Sequence, residues 1–136
     1  MKTKKALLVI LVLFSVKSLT AQINIPSDSI RTTLCHKWGF KAIIMGGQRL
    51  TNMDESLTYE FISDGTFKRV TSNGKVEKGT WIYEPDQKII LLKLKKTELH
   101  IPSLSTTELI VSPGSSMNES KNGLRMGTVL KPIESN

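Results

Sequence analysis

Cysteine, histidine and long apolar runs are all scarce in this chain of 136 residues. Cys35 is the sole cysteine, so no intrachain disulfide can staple the fold. It also lies beyond the polar stretch Ser27–Thr33, too far from a leader to carry the lipid of a bacterial lipoprotein. A small buried hydrophobe is one role open to it, and an intermolecular disulfide is the other. His36 and His100 are the only histidines, whereas a zinc site needs three or four converging ligands. Cys35 and His36 are adjacent, so on a strand they leave on opposite faces and cannot form a nucleophile–base dyad. Asp54, Glu55 and Asp64 sit among turn residues, where short polar side chains stabilise backbone. Gly46-Gly47 lacks the Lys-Ser/Thr that completes a phosphate loop. No catalytic residue, metal or cofactor is therefore expected.

The one sizeable apolar run, Ala6–Phe14, covers nine residues and is followed by Lys17. That is less than half of the roughly 20 residues a membrane helix needs. Lys2, Lys4 and Lys5 precede it, and Ser18-Leu19-Thr20-Ala21 follows. Charge, short apolar core and small-residue exit together predict a secretory signal peptide over residues 1–21, cleaved near Ala21. The chain is thus expected to be exported, to periplasm or medium, with no membrane span left after cleavage. The charge changes with it. The whole chain carries a formal +7, but removing the four leader lysines leaves fifteen basic residues against twelve acidic ones. That balance gives only weak steering of anionic partners, and no basic stripe with interleaved aromatics remains for nucleic acid.

Residues 22–33 read as a lead-in. Ser27 is placed to cap a helical turn that sets Ile30 and Leu34 on one face. From residue 34 to residue 136 the punctuation is that of a single all-β domain, with Val-, Ile-, Thr- and aromatic-rich runs broken by turn dipeptides. Eight strands are predicted, at about 37–45, 56–62, 66–71, 75–83, 88–94, 97–102, 106–112 and 124–131. Gly46-Gly47 ends the first. Asp64-Gly65 and Asn73-Gly74 are hairpin turns, because glycine accepts positive φ without steric cost. Strands joined by tight turns are antiparallel neighbours. The fold class is therefore an antiparallel up-and-down meander, and eight such strands close into a β-barrel without exposed edges.

Turn length sets register and register sets faces. A three-residue loop Ser63-Asp64-Gly65 places Phe61 opposite Phe67 and Glu60 opposite Lys68. A two-residue loop would set Phe61 beside Lys68, mixing core with charge. The same reading of Ser72-Asn73-Gly74 places Arg69 opposite Glu77 and Phe67 opposite Gly79. One face then carries Tyr59, Phe61, Phe67, Trp81 and Tyr83, joined by Leu57, Gly79, Trp38 and Phe40, with Arg69 and Glu77 further along. Such a face can simply fill the barrel. If it lines a cavity instead, Tyr59, Phe61, Phe67, Arg69, Glu77, Trp81 and Tyr83 are its candidate ligand-lining residues. The rings would then supply buried area, and Arg69 would pair with an anionic group. The Ser-, Asn- and Gly-rich segment Ser112–Asn122 reads as a surface connection.

Leu34-Cys35-His36-Lys37-Trp38, Tyr59-Glu60-Phe61 ahead of Asp64-Gly65-Thr66-Phe67, Gly79-Thr80-Trp81 and the basic last strand Leu124–Lys131 have a familiar look together. The set resembles the lipocalin-like domains of small exported bacterial proteins, in the calycin group of β-barrels, over about residues 34–131. The resemblance implies a non-enzymatic barrel that binds a small apolar or amphipathic ligand. It also implies a barrel floor in which Trp38 is covered by a cation, Arg125 or Lys131. His36 stands where lipocalins have glycine. A second function class is an envelope or extracellular module with a filled barrel, contacting a protein partner through loops Met45–Ser56 and Ser112–Asn122.

Overall fold

Gly65 (φ 94°) and Gly74 (φ 83°) occupy left-handed backbone that other residues resist, and each closes a hairpin. At the first, the Ile62 N–H donates to the Thr66 carbonyl, and Asp64 Oδ1 accepts from the Thr66 backbone N–H at 3.0 Å. At the second, the Thr71 N–H donates to the Lys75 carbonyl and Asn73 Oδ1 accepts from the Lys75 N–H. In the computed structural model, residues 23–51, 55–113 and 126–134 are described. The predicted leader, the cleavage site at Ala21 and Arg125 lie outside them.

A 3₁₀ turn over Ser27–Ser29 leads into helix α1 (Ile30–Leu34), and nine strands follow among the described residues. These are β1 (Lys37–Met45), β2 (Gln48–Leu50), β3 (Thr58–Phe61), β4 (Thr66–Val70), β5 (Val76–Glu84), β6 (Ile89–Lys93), β7 (Glu98–Leu104), β8 (Leu109–Pro113) and β9 (Met126–Pro132). From β3 to β9 each strand pairs antiparallel with the next. β1 closes the barrel by pairing with β9 on one side and β3 on the other.

The expected registers are present: Phe61 faces Phe67, Glu60 faces Lys68, Phe67 faces Gly79 and Arg69 faces Glu77. Three details differ from the sequence reading. Gly46-Gly47 ends β1 as expected, but the chain does not leave the sheet there. Both glycines have positive φ, 61° and 80°, which makes a tight hairpin and adds β2 against the far end of β1. Ser27 makes no side-chain capping bond; the Pro26 carbonyl starts the turn by accepting from the Ser29 N–H. The third is a bulge at Lys41, where the β1–β9 register shifts between Phe40 and Ala42. Across that extra residue the inward set changes parity. Phe40 pairs with Leu130, a partner of the buried Leu109. Ile43 pairs with Thr128, a partner of the buried Val111.

One end of the barrel is plugged. Ile23, Ile30 and Leu34 all enter the core, and Ile30 and Leu34 do so from one face of α1, as i, i+4 spacing requires. Trp38 is fully buried and its Nε1–H donates to the Leu34 carbonyl at 2.9 Å. The Phe61 N–H donates to the His36 carbonyl, and the Ile23 N–H to the Lys88 carbonyl. Among the described residues a cation stacks on a tryptophan where Arg31, from α1, lies over the Trp81 ring at 5.2 Å.

On the outer surface Glu108 accepts from Lys41 Nζ at 2.9 Å and from Arg49 Nη2 at 2.8 Å, tying the bulge and β2 to the start of β8. The Arg49 and Lys41 hydrogen bonds push its carboxyl down to about 2 from an ordinary 4.5. A carboxyl depressed in the folded state stabilises above its unfolded value, and that contribution fades as pH falls from about 4.5 towards 2. Solvent around the two cations keeps it to about 1 kcal/mol. Glu108→Gln is therefore expected to lower the urea midpoint at neutral pH and to leave wild type and variant nearly equal near pH 2. A constant gap across that acid range would show that the ion pairs contribute nothing.

Candidate ligand site

The opposite end of the barrel is not filled. A cavity of about 290 Å³ lies between the far ends of β1, β3, β4, β7, β8 and β9. Its wall is largely aliphatic, with Ile43, Leu57, Leu99 and Val111 among the lining residues, and Met45 and Met126 at a cross-strand pair. Those two methionines are half exposed, at 55% and 50%, and form an apolar rim. The volume is about twice that of an apolar cavity which takes up benzene, and close to the lower bound of about 300 Å³ for ligand pockets. It suits a molecule of one or two rings or a medium-length chain.

Arg69 is the only charged residue among the described lining residues. It lies in the barrel wall because β4 alternates: Phe67 and Arg69 face inward, while Lys68 faces outward to Glu60. Its Nη2–H donates to Glu77 Oε1 at 2.7 Å, and its Nη1–H to the Tyr59 hydroxyl oxygen at 3.2 Å. The guanidinium also lies 5.9 Å from the centre of the Tyr59 ring. Burial pushes the Tyr59 phenol up, against the pull of Arg69, so it stays protonated at neutral pH. The Arg69 hydrogen bond holds the Glu77 carboxyl below its usual range.

Two buried side-chain polar atoms have no hydrogen-bond partner among the described residues: Arg69 Nε and Ser112 Oγ. Both belong to residues of this cavity wall. Orphaned polar atoms are rare in folded proteins, since each costs roughly 1–3 kcal/mol unless something satisfies it.

The inward face expected from the sequence thus divides in two. Tyr59 and Arg69 reach the cavity. Phe61, Phe67 and Trp81 do not; they are buried in the packed half, with Tyr59, Phe61 and Phe67 centroids 5.6–6.1 Å apart. Trp81 is further held by its Nε1–H to the Ile62 carbonyl. Glu77 acts through Arg69, and Tyr83 packs half-buried against the core. The lining residues missed by sequence reasoning, Ile43, Met45, Leu99, Val111 and Met126 among them, are contributed by strand ends far apart in the chain. For Ile43 and Met45 the bulge reverses the alternation that would have assigned them.

Neither histidine is among the residues lining the cavity. His36 is exposed beside the plug, and His100 lies on β7 with Nε2 3.5 Å from Glu98 Oε1. Cys35 is a free, partly buried thiol packed against the core, and burial pushes its pKa up, away from the reactive thiolate.

No family model and no curated protein matches this chain. Solved structures do. A lipocalin-like protein from Bacteroides uniformis superposes with a TM-score of 0.50 at 13% identity, covering 74% of this chain and 99% of the other. A DUF4847 family protein from Bacteroides vulgatus gives 0.54 at 10% identity, covering 82% and 100%. The fold is lipocalin-like. A further Bacteroides uniformis protein, solved by NMR, is 25% identical over 77% of this chain and 93% of its own, with a TM-score of 0.48. At such identities the likeness is one of fold.

Proposed function

We propose that the protein is an exported, non-enzymatic lipocalin-like barrel that holds a small apolar or amphipathic molecule in the cavity at its unplugged end. The observation that carries this reading is a largely apolar cavity of about 290 Å³ whose wall holds Arg69 beside the Tyr59 hydroxyl. A wall of that kind, mostly hydrophobic with a few polar groups that fix orientation, is what small-molecule sites share. Tyr59 and Arg69 are the orienting residues, and Ile43, Leu57, Leu99 and Val111 supply the apolar contact.

The test is binding of a neutral fluorescent probe, N-phenyl-1-naphthylamine, by the purified protein, followed by native mass spectrometry. One saturable equivalent is expected, with emission enhanced on transfer from water. Absence of saturable binding would remove this reading and leave the filled-barrel interaction module in its place.

A further inference from the structure

Resting on that reading, we propose that the ligand is uncharged at the end that meets Arg69. It presents a hydrogen-bond acceptor there (an ester, ketone or hydroxyl oxygen), and Glu77 makes the site reject carboxylates of the same shape.

A guanidinium has five N–H donors. In Arg69 one serves Tyr59 and one serves Glu77, and its Nε is buried with no partner among the described residues. The Tyr59 oxygen accepts from Arg69, so its own proton remains to donate. The cluster therefore offers donors, and the group it lacks is an acceptor.

An arginine in an apolar wall would ordinarily point to a carboxylate. Here that position is already taken, because Glu77 Oε1 lies 2.7 Å from Nη2 and the pair has no net charge. Bringing in an anion would leave one uncompensated negative charge beside Ile43, Leu99 and Val111, with no other charged residue among the described lining to balance it. A neutral oxygen meets no such cost, yet still gains a hydrogen bond from an ionised donor, the stronger kind.

Competition against bound N-phenyl-1-naphthylamine distinguishes the cases, using decanoate, methyl decanoate and decan-1-ol at neutral pH. In the wild-type protein the ester and the alcohol are expected to bind at least about tenfold tighter than decanoate, the size of effect that one poorly compensated charge produces. Glu77→Gln keeps an amide oxygen for Arg69 but removes the negative charge, so decanoate is expected to gain by more than the roughly tenfold wild-type gap and overtake the ester. Arg69→Met is expected to weaken ester and alcohol by more than it weakens the naphthylamine. Decanoate binding as tightly as the ester in wild type, or an unchanged order in Glu77→Gln, would overturn the proposal and leave the cavity reading standing. If neither the naphthylamine nor any decyl compound binds, both fall together.

Discussion

Trp38→Ala is expected to lower the unfolding free energy by about 4 kcal/mol, the range for truncating a fully buried tryptophan. Its indole is 0% exposed and lies at the junction of β1, α1 and β3. The loss should be chiefly one of packing. The Leu34 carbonyl that receives the indole N–H also accepts the His36 N–H at 2.7 Å, so it is not left bare. What disappears is the surface on which Ile30 and Leu34 rest, and with it the docking of the plug. Since a small domain has about 5–15 kcal/mol in total, the variant should sit near the edge of folding. Trp38→Phe, which keeps most of the volume, should cost less than half as much. Urea denaturation of the three proteins measures both. A loss below about 1 kcal/mol for Trp38→Ala would mean that α1 docks without it.

Gly79→Ala carries the second large effect, and its sign is diagnostic. In a strand interior this change ordinarily stabilises by roughly 0.5–1 kcal/mol, because glycine has more backbone freedom to lose. At Gly79 a Cβ would collide with the Lys93 backbone carbonyl and come within 2.7 Å of the Phe67 ring. The carbonyl belongs to the paired strand β6 and cannot rotate away as a side-chain tip would. The ring is wedged against Tyr59 and Phe61. Glycine here leaves room for the ring of Phe67, its direct cross-strand partner. The expected outcome is a net loss of about 2–3 kcal/mol by urea unfolding. A stabilised variant would show that β4 and β5 are further apart than described.

Both effects concern the plugged half, and that is also where the sequence was most readable. The hairpins at Asp64-Gly65 and Asn73-Gly74 have a local chemical signature. Loop lengths that keep Lys68 off Phe61 set the registers of β3, β4 and β5 by alternation alone. Ile30 and Leu34 were readable as one helical face for the same reason. The open end was not. Its wall depends on a bulge at Lys41 that no residue there announces, and on the Gly46-Gly47 hairpin, in which two positive φ angles continue the chain into β2. The aromatic stripe was correctly placed inside the barrel. Yet how far along the axis packing ends and space begins is a property of all the strands together, so of that face only Leu57, Tyr59 and Arg69 are among the described residues that line the cavity.

The most direct test of the cavity as a binding site is to obstruct it from a wall residue outside the Arg69–Glu77–Tyr59 cluster. Val111 lines the cavity and is 5% exposed, remote from the Arg69–Glu77–Tyr59 cluster in the chain. Val111→Trp would place an indole in the open space, where overpacking strain is relieved by room already present. Titration of wild type and Val111→Trp with N-phenyl-1-naphthylamine should then give one saturable equivalent in the first and none in the second, with both proteins folded by circular dichroism. Equal binding by the two would place the ligand elsewhere on the molecule and contradict the assignment of this cavity as the site.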